Sequence, residues 1–214
     1  MKNYIVYSDF SDTIVKPSVG DKFPPFELEL AKFAGINLSD PYEHFVSIRR
    51  DDSIPYEERM KIWLKPFIGL LTQQHIERLV STFSYNENYN KAVELVKEKL
   101  RTDSLEIIIV SGTLWQIIDT FLKGKTAFVY LKESGITFKM GATKIHFNKD
   151  GKYDGQLIVT DKLAFAPASS FPNQCLVIGD NAMEKYGFGE RLLNVQTYNP
   201  QLIAQQVDSY LSLV

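Results

Sequence analysis

Three short apolar runs, each breaking off at a polar turn, limit what this chain can fold into. They are Tyr4-Ile5-Val6-Tyr7, Ile107-Ile108-Ile109-Val110 and Cys175-Leu176-Val177-Ile178. Runs of this length rich in β-branched residues suit strands buried on both faces of a parallel sheet. Between them lie patterns with helical spacing. One is Tyr89 to Leu100, with Ala92, Val93, Val96 and Leu100 inward; another holds Trp115, Ile118 and Leu122 and ends near Gly124. Leu192 to Val195 reads as a further short strand and Pro200 to Leu213 as a closing helix. Strand–helix alternation of this kind predicts an α/β fold with a Rossmann-like parallel sheet.

The stretch between the first two strands differs. Lys16-Pro17 and Phe23-Pro24-Pro25 break any long element, and helical patterns follow. Ser53 is expected to cap a helix with Glu57 and Glu58 in its first turn. Ile62, Trp63, Phe67, Leu70 and Leu71 form one inward stripe, and Ile76, Leu79 and Val80 another. No clear strand is visible there. Residues 15–87 are therefore expected to form a helical domain inserted after the first strand, with 1–14 and 88–214 as the α/β core. Within the core, Thr143 to Phe147 and Gln156 to Val159 flank Asn148-Lys149-Asp150-Gly151-Lys152, a β-hairpin pattern.

Bulk composition narrows the partners. Lys plus Arg number 24 against 26 Asp plus Glu, so no strong charge calls for nucleic acid or an acidic membrane surface. Cys175, the single cysteine, excludes an intramolecular disulfide framework. No apolar run reaches membrane-spanning length, and Asp9 interrupts the first apolar stretch too early for a signal peptide. The expectation is a cytoplasmic monomer or homodimer acting on a small molecule.

In open α/β sheets, ligands bind beyond the carboxyl ends of the strands. The polar residues that end these runs make one coherent site for phosphoryl transfer. Asp9, in Asp9-Phe10-Ser11-Asp12-Thr13, is a short carboxylate able to attack phosphorus and to hold Mg²⁺. The backbone carbonyl of Ser11 offers a second metal ligand. Asp180 and Glu184, after the Cys175–Ile178 run, offer further oxygens. Ser111 and the N–H of Gly112 are placed to hold a phosphoryl oxygen at a helix N-terminus. Lys162 would neutralise charge shared between Asp9 and the phosphoryl group.

Taken together, these residues resemble the haloacid dehalogenase superfamily of aspartyl-nucleophile hydrolases, over nearly the whole chain. That family's first motif is Asp-x-Asp-x-Thr, matched by Asp9-Phe10-Ser11-Asp12-Thr13. Its second is a Ser or Thr after an apolar strand, here Ser111. Its third is a lysine, best matched by Lys162 in Thr160-Asp161-Lys162 rather than by Lys144 or Lys152 of the hairpin. Its fourth is Gly-Asp with a later acid, matched by Gly179-Asp180 and Glu184. The helical insertion and the hairpin from Gly141 to Gln156 resemble the phosphoserine-phosphatase-like branch, whose insertion is a cap. The resemblance implies a Mg²⁺-dependent phosphatase of a small phosphorylated metabolite, working through an aspartyl-phosphate on Asp9.

The chain departs from the motif at two points. Ser11 stands where the family has its general acid and base, a group worth about 10²–10⁴-fold in rate. The departure implies weak turnover, turnover limited to good leaving groups, or arrest at the phospho-enzyme. Asp12 would replace that acid only if the loop turned it inward. Met183 and Glu184 replace the usual Asn-Asp of the fourth motif, and Glu184 keeps the charge. Two other readings follow from Ser11: a relative that binds a phosphorylated ligand without turnover, or cleavage of a C–P or C–halogen bond. A C–P enzyme would need a cap lysine, with Lys16, Lys22, Lys61 and Lys65 as the candidates. Arg49 and Arg50 are basic cap residues that could meet a substrate anion. Phe23, Phe26, Phe45, Tyr56, Trp63 and Phe67 make the insertion aromatic-rich.

Overall fold

The computed structural model describes residues 5–17, 26–37, 40, 45, 47–48, 51, 53–124, 126–160, 175–179, 192–195 and 198–212. Six strands form the main sheet. In chain order they are β1 (Ile5–Ser8), β4 (Leu105–Leu114), β5 (Ile136–Phe147), β6 (Tyr153–Ile158), β7 (Cys175–Gly179) and β8 (Leu192–Asn194). Their spatial order is β6-β5-β4-β1-β7-β8, and every neighbouring pair is parallel except β5–β6. β1 is central, and Val6, Tyr7 and Ser8 are all buried. That agrees with a run apolar on both faces.

Helices cover the sheet. Tyr89, Ala92, Val93, Val96 and Leu100 form the buried stripe of Glu87–Leu100. Trp115–Gly124 buries Ile117, Ile118, Phe121 and Leu122. Thr126–Glu133 packs against β5, and Pro200–Leu211 packs against Glu87–Leu100. The turn at Gly135 launches β5. Its φ is +83°, and an added Cβ would lie 2.3 Å from the Asp103 carbonyl oxygen, so only glycine fits.

The inserted segment contains helices Phe26–Phe33, Tyr56–Leu64 and Gln73–Val80, with a 3₁₀ turn at Lys65–Phe67. It also contains two strands that its sequence pattern does not reveal. β2 (Val15–Pro17) and β3 (Phe83–Tyr85) pair antiparallel, Val15 opposite Tyr85 and Pro17 opposite Phe83. The chain thus leaves and re-enters the core through one ribbon. Each strand is only three residues long, too short for alternation to show.

Two details of the insertion correct the sequence reading. Leu70 is 46% exposed, because the chain leaves the helix at the 3₁₀ turn before reaching it. The cap position of Tyr56–Leu64 is Pro55, and Ser53 instead bonds Asp51, its Oγ donating to Oδ1 at 2.5 Å. Phe45, Trp63 and Phe67 pack on one another, with ring centroids 5.6 Å apart for Phe45–Phe67. Phe26, Phe45, Trp63 and Phe67 are buried core, while Phe23, Arg49, Arg50 and Lys22 lie outside the described residues. Lys61 pairs with Glu57 at 2.7 Å.

The insertion joins the core through one continuous apolar cluster. Backbone bonds reinforce the join. Gly69 donates to the Tyr153 carbonyl at 2.7 Å and Tyr153 donates to Leu71 at 2.9 Å, while the Gln73 amide donates to Thr120 Oγ1 at 2.9 Å. Among the described residues, no helix is long and apolar enough to cross a membrane.

Candidate active site

The site is built where β1 ends. Ser8 pairs with Ile109 of β4 on one side and with Ile178 of β7 on the other. Asp9 follows, 7% exposed, with its N–H donating to the Ile178 carbonyl at 3.0 Å. Two residues past Ile109 is Ser111, 2% exposed, and one past Ile178 is Gly179. Parallel register therefore sets Asp9, Ser111 and Gly179 side by side along one edge of the sheet.

β4 does not stop before Ser111, as its apolar run suggests. Val110 pairs with Gly141 and Leu114 with Thr143, so β4 advances four residues while β5 advances two. The extra residues form a bulge at Ser111-Gly112-Thr113, the device by which sheets redirect side chains near functional sites. The next helix begins only at Trp115, so Ser111 and Gly112 sit in a strand bulge and not at a helix N-terminus. Within the bulge the Ser111 hydroxyl oxygen accepts from the Thr113 N–H at 3.2 Å. Among the described residues its own proton finds no acceptor.

Gln116 holds the far side of the bulge. Its amide donates to the Ile145 carbonyl and accepts from the Ile145 N–H at 3.3 Å, continuing the β5 ladder where β4 has ended. Thr143, fully buried, accepts from the Thr160 N–H at 3.4 Å. That bond fixes Thr160 beside β5, next to the bulge.

The loop after Asp9 is equally constrained. Phe10 is buried with its ring 5.7 Å from Phe121, edge to face. Its carbonyl accepts from both Ile14 (2.9 Å) and Val15 (3.1 Å). The tight turn puts Asp12 at φ +57°, a left-handed geometry that Asp tolerates better than most residues. Ser11 and Asp12 are partly exposed, whereas Thr13 and Ile14 are buried.

Asn86 ties this loop to the following helix. Its side chain donates to the Thr13 carbonyl at 2.8 Å, and its Oδ1 accepts from Asn88 N–H as the N-cap of Glu87–Leu100. Asn86→Ala is expected to lower stability by about 2–3 kcal/mol, from a lost cap and a buried carbonyl left unpaired. Denaturant unfolding checks this, and Asn86→Asp should recover the cap alone.

Beneath β1 lies a second polar layer. The Ser8 hydroxyl, fully buried, donates to the Asp9 carbonyl at 2.8 Å. The Tyr89 hydroxyl makes no hydrogen bond of ordinary geometry among the described residues, and Ser8 is the polar group beside it. Burial pushes the Tyr89 phenol far above the ordinary tyrosine range, with Ser8 pulling weakly the other way.

Of the residues expected in the site, Asp9, Ser11, Ser111 and Gly112 lie at this one end of the sheet. Lys162, Asp180 and Glu184 lie outside the described residues. Among the described residues, no group of three or more His, Cys, Asp or Glu could hold a metal ion. The described donors, the Asp9 carboxylate and the Ser11 carbonyl, are hard oxygens of the kind Mg²⁺ takes. Sequence reasoning missed Ser8, Asn86, Gln116 and Thr143. Only Ser8 carried a signal, as a hydroxyl at the end of an apolar run.

No protein-family model and no curated protein matches the sequence. Solved structures do. Phosphoserine phosphatase from T. onnurineus, in complex with NDSB-201, superposes with a TM-score of 0.53 at 18% identity, over 84% of this chain and 76% of that one. The chain has a haloacid dehalogenase-like fold. Cytosolic 5'-nucleotidase IIIB bound to cytidine aligns over 99% of this chain and 87% of that one, at a TM-score of 0.47 and 14% identity. At 18% identity the fold is what this chain shares with the phosphoserine phosphatase, and the chemistry is read from this chain's own residues.

Proposed function

We propose that this protein is a phosphoric monoester hydrolase whose nucleophile is Asp9. The observation that carries the reading is the buried Asp9 at the end of the central strand, flanked in register by the Ser111 bulge and by Gly179. An Asp9 carboxylate oxygen attacks phosphorus, an oxygen–phosphorus bond forms, and the bond to the leaving oxygen breaks, that oxygen taking its proton from water in the absence of an acid at Ser11. Ser111 and the Gly112 N–H hold a phosphoryl oxygen, and Lys162 balances the charge that builds on the group. Water then releases phosphate and restores Asp9. Asp9, the Ser11 carbonyl, Asp180 and Glu184 would hold Mg²⁺, which when bound offsets the negative charge shared by carboxylate and phosphoryl group.

Residues 15–87 act as the cap that selects the substrate, a small phosphorylated metabolite. The protein works in the cytoplasm as a monomer or homodimer, with neither nucleic acid nor membrane as partner. Ser11 at the proton-transfer position favours a second reading, a relative that binds phosphorylated ligands with little turnover. Incubating the protein with Mg²⁺ and a panel of phosphomonoesters tests the first reading. Phosphate release that a chelator stops and Mg²⁺ restores is expected. Tight phosphate-ester binding with no release would favour the second reading, and neither binding nor release would reject both.

A further inference from the structure

The last residue of β1 is a serine where the run before it is apolar. Ser8 is fully buried, in a core whose neighbouring positions are filled by Val6, Phe10, Ile107 and Ile109. A hydroxyl there is costly unless it is bonded. It spends its one proton on the carbonyl of Asp9, at 2.8 Å. The pairing of β1 with both neighbours ends at Ser8, so Asp9 stands where ladder gives way to loop. Its N–H is held by Ile178. The Ser8 hydroxyl holds the other side of the same residue.

We propose that Ser8 is a positioning residue, fixing through the Asp9 carbonyl the direction in which the Asp9 carboxylate leaves the backbone. This inference rests on Asp9 being the nucleophile. Two held main-chain groups leave the carboxylate little freedom beyond its own side-chain torsions. An in-line attack is sensitive to misplacement: a shift of about 1 Å alone can cost about a hundredfold. Ser8 and the Tyr89 beside it are both fully buried, so bulk water does not compete for the hydroxyl.

Steady-state kinetics of Ser8→Ala and Ser8→Thr, with thermal unfolding of each, test the inference. Ser8→Ala should lose between about tenfold and a hundredfold in kcat, with KM nearly unchanged. Ser8→Thr, which restores the hydroxyl, should recover most of that loss. A Ser8→Ala kcat within about twofold of wild type, or a Ser8→Thr as slow as Ser8→Ala, would overturn it. Should Ser8→Ala fail to fold, Ser8→Cys, of similar volume but a weaker donor, carries the same readout. A wild type inactive on every phosphomonoester rejects the phosphatase reading and this inference with it. An active wild type with an indifferent Ser8 rejects the inference alone.

Discussion

Asp9→Asn should reduce phosphomonoester turnover by about a thousandfold or more while leaving the fold intact. Asp9 is buried at the head of the sheet, and its backbone holds two contacts there: the N–H donates to Ile178 and the carbonyl accepts from Ser8. An amide of nearly the same shape preserves both. What it removes is the negative oxygen that attacks phosphorus and one anionic ligand for the divalent cation. The loss should therefore fall on kcat, with thermal unfolding close to that of wild type. Equal turnover by the two proteins would remove Asp9 from the chemistry.

Ser11→Asp should act in the opposite sense, raising kcat by about 10²–10⁴-fold. The departing alkoxide needs a proton, and the water that later attacks the phospho-enzyme must lose one. A serine hydroxyl does neither readily near neutral pH. Ser11 is partly exposed, in a loop whose shape is set by Phe10 and Asn86 and not by the Ser11 side chain. The metal contact expected of Ser11 is its backbone carbonyl, so it survives the change. The gain should be largest for alkyl phosphates, whose leaving groups need protonation most, and smallest for nitrophenyl phosphate. No gain on either class would mean that proton transfer does not limit the wild type.

The parts of the fold legible in the sequence are those where local pattern and tertiary burial agree. Ile107 to Val110 reads as a strand because both of its faces are covered. Glu87–Leu100 reads as a helix because its buried stripe repeats at helical spacing. The first half of β5 is harder. It is nonetheless legible in principle, since Ile136, Phe138 and Met140 alternate with exposed Thr137 and Lys139 as in a half-buried strand, although the hairpin pattern places a strand only from Thr143. Helix Thr126–Glu133, short and flanked by Gly124 and Gly135, was invisible for a different reason: eight residues give too few turns for a period to stand out. Leu70 looked like core because periodicity does not register the 3₁₀ turn that redirects the chain.

At the site, Asp9 was legible as a carboxylate after a strand, and Ser111 as a hydroxyl after another. The bulge was not, because its cause lies in the register of β5, a strand distant in sequence. Asn86 and Gln116 act across 73 and 29 residues respectively, on groups that no local window contains.

The most direct measurement is rapid quenching of the protein during turnover, followed by mass spectrometry of its peptides. With nitrophenyl phosphate as substrate, whose leaving group departs without a proton, Ser11 slows only the hydrolytic step, so phospho-enzyme should accumulate and the peptide containing Asp9 should carry the mass of one phosphoryl group. Borohydride reduction should convert that residue alone. Steady phosphate release with Asp9 unmodified at every quench time, or with the phosphoryl group on another side chain, would contradict a nucleophilic Asp9.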